Sequence, residues 1–132
     1  MKSKNKLTRI ILITARILGS ISLLFLVFMV GAHLVGAILG EEPSGNGFQS
    51  TAELLSFICF PVSIMIGLGL AWKWEGLGGL ITVIGIICFH IIRPDLILNP
   101  MIDGLAFPGF LFLLYWILNR KNTDTNNINE VP

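Results

Sequence analysis

From Ile17 to Leu39 the chain runs for 23 residues without an Asp, Glu, Lys or Arg, and its only polar side chains there are Ser20, Ser22 and His33. As a helix this stretch is about 35 Å long, more than the ~30 Å hydrocarbon core of a bilayer. A helix of a soluble domain shows water a polar face, and this one has none to show. A cleavable signal peptide is the competing explanation, because a basic start precedes the run and Val35-Gly36-Ala37 loosely resembles a cleavage site. Signal peptides have an apolar region of only about 7–15 residues, so a retained transmembrane helix is expected.

Three more apolar stretches follow, at 52–72, 77–92 and 101–118. Apolar residues make up 54% of the 132 and charged residues only 13%, against about 25% charged in soluble domains. Four spans of about 20 residues use roughly 80 positions. No remaining stretch is long enough to fold alone, which excludes a soluble catalytic domain, a DNA-binding module and a secreted disulfide scaffold. Cys59 and Cys88 both fall inside apolar segments, where a thiol behaves as a small hydrophobe, and no disulfide is expected between them.

Residues 1–16 hold five cations and no acid. Lys2, Lys6, Arg9 and Arg16 share one helical face, as expected of a basic interfacial segment. Residues 40–51 combine acids, Gly, Pro and Asn as a surface loop does. Pro61 predicts a kink over residues 57–61, which a membrane helix tolerates when neighbours satisfy the freed carbonyl. The link Lys73-Trp74-Glu75-Gly76 is so short that the helices it joins must be antiparallel neighbours. Pro94 and Pro100 interrupt residues 93–104, and residues 119–132 are polar enough to be expected as a disordered tail.

With four alternating spans, Lys2, Lys4, Lys6, Arg9, Arg16, Lys73, Arg120 and Lys121 share one side, and Arg93 alone takes the other. By the positive-inside rule both termini are then cytoplasmic. Trp72, Trp74, Tyr115 and Trp116, which are every Trp and Tyr in the chain, fall at the same ends. With Arg16 and Lys73 they are expected to anchor at headgroup level. The fold class expected is all-α, an up-down-up-down four-helix bundle of the cytoplasmic (inner) membrane.

Inside lipid, helices associate through close packing at small side chains. Three ridges qualify: Ala32, Gly36 and Gly40; Ser63, Gly67 and Ala71; and Gly78, Thr82 and Gly85, with Gly79 beside the last. They serve either internal packing or oligomerisation, and the spacing alone does not choose. Glu75 suits the start of a helix, where a negative charge meets the positive dipole end.

The segments ARILGS (15–20), FPVSIMIGLGLAWKWEGLGG (60–79) and PGFLFLLYWIL (108–118) resemble a family of small, uncharacterised bacterial four-helix integral membrane proteins. Members pair an AWKWEGLGG-like hairpin with a PGFLFLL-W ending. The resemblance implies a four-helix inner-membrane protein and brings no catalytic or binding residue with it.

Ionisable groups within lipid are costly and often functional. His33, Glu53, His90 and Asp103 fall in the outer halves of the four spans, whereas the inner halves are apolar. If they converge, two imidazoles and two carboxylates suit Zn or another divalent metal, or a proton. Against this, no two share a helix at ligand spacing, so a structural polar cap that includes Arg93 and Asp95 explains the same residues. No GxxxxGK[ST], GxSxG, HExxH or dinucleotide glycine fingerprint occurs, and neither an enzyme nor a cofactor is expected. Nor is a nucleic-acid partner. The expectation is an accessory or scaffold protein that contacts a membrane partner or itself. The alternative is a small transporter or a metal- or proton-binding protein using the outer His and carboxylate groups.

Overall fold

The computed structural model describes residues 2–39 and 50–129. These are helical in the order α1 (Lys2–Leu39), α2 (Thr51–Phe57), α3 (Ser63–Ala71), α4 (Glu75–Ile92) and α5 (Pro100–Asn129). A π-helical turn, Ile58–Val62, joins α2 to α3, and a 3-10 turn, Pro94–Leu96, lies between α4 and α5. Among the described residues four helical stretches are long and apolar enough to cross a membrane: Lys6–Gly36, Thr51–Ala71, Glu75–Ile92 and Pro100–Lys121. The expected loop at 40–51 lies outside the described residues as far as residue 49, and so does Gly40.

The basic residues at the start are helical, and α1 continues through them into the first span without interruption. No Gly or Pro precedes Gly19, so nothing breaks the helix there. Residues 119–129, expected as disordered, continue α5. No Gly or Pro stands between Gly109 and Pro132, and a polar composition alone does not end a helix.

The second span begins at Ser50, whose hydroxyl accepts the Glu53 N–H at 3.2 Å, the Ser-x-x-Glu arrangement of a helix start. It bends where Pro61 predicts: Phe60 takes an extended conformation (φ −147°, ψ 121°) inside the π-helical turn. Just beyond the bend, Ser63 reaches across to α4 and donates to the Ile81 carbonyl at 3.3 Å.

The second and third ridges face each other. Gly78 meets the backbone of Ala71 and Gly67, Gly67 packs against Thr82, and Gly85 packs against Ser63, so α3 and α4 are antiparallel. Thr82 is fully buried, with its hydroxyl donating to the Gly78 carbonyl at 3.0 Å. On the other side of α4, a methyl at Gly79 would lie 2.7 Å from the Leu113 nitrogen and 2.8 Å from the Gly109 oxygen, so α5 also makes backbone contact. One turn further on, Gly109 packs against Thr82.

α1 joins along a seam of buried residues, Thr8, Ala15, Gly19, Ser22 and Leu26, at helical spacing. Gly19 rests on Phe112 and Pro108, and a shallow groove is shared by Ile21 and Phe25 with Pro100, Met101 and Gly104. Because α5 begins at Pro100, α1 has run past the start of its neighbour by about Leu26. Beyond Leu26 no described side chain of α1 is buried. The remaining run to Leu39 is about 20 Å of helix, with Phe28 and Ile38 more than 70% exposed. The Ala32–Gly36 ridge therefore packs against no element of the described structure as the other two ridges do.

Candidate functional site

Polar side chains gather at the two ends of the helices. At the first end, Arg93 closes α4 and grips Asp95 through two hydrogen bonds of 3.0 Å, Nε to Oδ1 and Nη2 to Oδ2. These bonds favour the ionised carboxylate and hold the Asp95 carboxyl below its ordinary value. A lowered folded-state value means that the pair supports the fold above the free carboxylate pKa of about 4 and is lost only as pH falls below it. In the Arg93→Gln variant the Asp95 carboxyl is expected to titrate at a higher pH than in the unaltered protein. Carboxyl-carbon NMR reads this directly, and an unchanged midpoint would remove Arg93 as the cause.

Leu98 completes this turn with φ 64°, a conformation unusual for a non-glycine residue, and its side chain is 84% exposed. The Asn99 side chain then accepts the Met101 N–H at 3.1 Å, and Pro100 stands as first residue of α5, where a missing N–H costs nothing.

The four expected ligands do not form one site. His90 and Asp103 do come together, with Nε2 3.2 Å from Oδ1. The imidazole nitrogen is buried, and the approach is not aligned well enough for a hydrogen bond. Their link ties the end of α4 to the first turn of α5, and Phe89 packs edge-on against the His90 ring at 5.8 Å. Glu53 lies on the exposed first turn of α2, and its charge reaches Arg93. His33 is exposed on α1. Its helical phase continues the buried seam, seven residues after Leu26, but α1 has there outrun α5. Among the described residues, no three His, Cys, Asp or Glu side chains stand close enough to hold a metal. Cys59 and Cys88 are free thiols.

The second end holds a polar contact that periodicity did not reveal. Arg16 of α1 meets Glu75, the first residue of α4, with Nη2 3.4 Å from Oε1. Its guanidinium also lies over the Trp72 ring, 5.9 Å from the centroid. The pair is partly exposed, so solvent screens it and its worth lies in fixing α1 against the α3–α4 turn. Two more cations stack on rings at this end: Lys73 over Trp74 at 5.2 Å and Arg120 over Trp116 at 5.4 Å. Gly76 makes room for Trp116, since a methyl there would lie 2.6 Å from the indole. A cavity of about 600 Å³ opens beside this cluster, lined by Lys73, Trp74, Glu75, Leu77, Leu80 and Trp116 among others.

Residues 3–124 match a family described as "Domain of unknown function (DUF7670)". The chain belongs to the DUF7670 family. The match takes in the four helical stretches that, among the described residues, are long and apolar enough to cross a membrane, together with both polar ends. No curated protein and no solved structure matches this DUF7670 chain. Membership agrees with the resemblance to an uncharacterised family and assigns no residue a role.

One signal for the Arg16–Glu75 contact was present in the sequence. Glu75 is the acid at the link between the second and third spans, and Arg16 is the last cation before the uncharged run. Bringing them together requires knowing that α1 packs beside the α3–α4 turn, which no local pattern carries.

Proposed function

We propose that this DUF7670 chain is a four-pass protein of the cytoplasmic membrane, with both termini cytoplasmic, that serves as an accessory or scaffold protein. It does so by offering the outer half of α1 to a transmembrane helix of a partner protein or of a second copy. The observation that carries this reading is the overrun of α1. Three spans lock together through glycines, whereas beyond Leu26, where Met29 still packs against the core, no described side chain of α1 is buried and His33 is the only polar residue as far as Leu39. Lipid wets such a surface without penalty, so the small side chains decide between a lipid-facing role and a protein-facing one. Val27, Phe28, Gly31, Ala32, Val35 and Gly36 form a shallow groove there, into which a second helix could approach closely.

A substitution at Gly31 separates association from folding, because a Cβ there meets nothing within 4 Å. Gly31→Leu is expected to leave the thermal stability of the purified chain within about 1 kcal/mol of the original. It should also abolish recovery of the associated protein, or of the self-associated form, after mild detergent extraction. Unchanged association in Gly31→Leu and Ala32→Leu together would overturn this reading.

A further inference from the structure

We infer that the cavity beside the α3–α4 turn is a binding site for one anionic phospholipid. This requires only that the chain spans a membrane and is independent of any partner on α1. The cavity has the two-part chemistry of such a molecule. One side of it is apolar, made of Leu77, Leu80 and Leu113 from α4 and α5, with Leu77 and Leu80 partly open to lipid, and takes an acyl chain. Its mouth is cationic and aromatic: Lys73 lines it, and Trp74 and Trp116, which also line it, each carry a stacked cation, Lys73 and Arg120.

The one carboxylate in the lining is Glu75, and its charge is met by Arg16. With Glu75 answered by Arg16, Lys73 in the lining and Arg120 on the Trp116 ring leave the local balance positive, which complements a phosphodiester with no compensating amine. The first turn of α4 adds to this. Trp74 gives it no side-chain cap, and Glu75, Gly76 and Leu77, whose N–H groups open the helix, all line the cavity. At about 600 Å³ the space holds a headgroup and the upper part of one chain, with the remainder lying along the lipid-exposed face of Leu80, which is 45% exposed.

Lys73 and Arg120 are exposed, so neutralising them leaves the packing intact. The test is native mass spectrometry of the full chain released from nanodiscs made of equal parts phosphatidylglycerol and phosphatidylcholine. One phosphatidylglycerol is expected to remain bound preferentially. Lys73→Gln and Arg120→Gln should each weaken its retention about fivefold, the effect of one cation near a charged headgroup. Leu80→Trp, which fills the acyl-chain wall, should lower retention of either lipid, whereas Arg93→Gln at the opposite end should change nothing. Equal retention of the two lipids would overturn the inference, as would unchanged retention in Lys73→Gln and Arg120→Gln. Displacement of the bound lipid by inorganic phosphate alone would overturn it too, by showing a simple anion site that makes no use of the acyl-chain wall.

Discussion

Gly78→Ala is expected to be among the most destabilising single-methyl changes this chain can undergo. The added carbon would run into the backbone nitrogen and Cα of Ala71 and the carbonyl oxygen of Gly67. These are main-chain atoms of a neighbouring helix, so no rotamer change relieves the clash and α3 must move away from α4. That motion loosens the seat of Thr82, whose fully buried side chain packs between Gly67 and Gly109. Overpacking of this kind typically costs about 1–3 kcal/mol, and a backbone-to-backbone clash belongs at or above the upper end. Gly69→Ala is the matched control: it lies on α3, nothing stands within 4 Å of its Cβ, and replacing a helical glycine there should be neutral or stabilising by up to about 1 kcal/mol. Unfolding of both variants in the same detergent, followed by circular dichroism, should give changes of opposite sign. Equal stability would mean that α3 and α4 do not approach as closely as described.

Gly79→Ala presses on the other neighbour, at the Leu113 nitrogen and the Gly109 oxygen. Adjacent residues of one helix therefore hold α3 and α5 at backbone distance, and α4 is the central element. This explains why the WKWEGLGG turn is the most distinctive stretch of the sequence. Its glycines are not a flexible linker but the contact surface of a helix that has neighbours on two sides. The same turn supplies Trp72, Glu75 and Gly76, which receive Arg16 and Trp116 from the first and last spans.

What was legible in the sequence follows from which interactions are periodic. Uncharged length gave the spans, Pro61 gave the bend at Phe60, and small residues at four-residue spacing gave the ridges of α3 and α4. Gly109 is the notch that receives Thr82, yet nothing local marks it as one, because its neighbour Pro108 suggests a break in the helix instead. α5 runs through both residues unbroken, with Pro108 itself buried against α1. The dispersal of the four expected ligands has a different reason. His33 has the helical phase of the buried seam, but phase does not say how far one helix is displaced along another. That displacement is set by where Gly19 meets Phe112 and where α5 begins, both of which need the packed structure. Arg16 and Glu75 are 59 residues apart, and their contact follows from the same long-range register.

Reporter fusions after residue 46 and after residue 125 are expected to report opposite compartments, the first outside and the second cytoplasmic. The effect is all or none, since a reporter folds or is active on only one side. The physical ground is the charge distribution: the loop positions between the first two and the last two spans carry one cation, Arg93, against eight at the remaining ends. Arg93 is moreover engaged by Asp95, which leaves little free positive charge on that side. The polar contacts fit the same assignment. Arg16, Lys73 and Arg120 are each stacked on an indole at one end, the arrangement suited to the headgroup layer, where a ring sits half in lipid and a cation meets phosphate. Moving Arg16, Lys73 and Arg120 to the outer leaflet would expose them to fewer anionic lipids and would separate them from the surface potential that attracts them. The same compartment for both fusions would refute the even number of crossings. Opposite compartments with the signs reversed would keep four spans and place the lipid cavity in the outer leaflet instead.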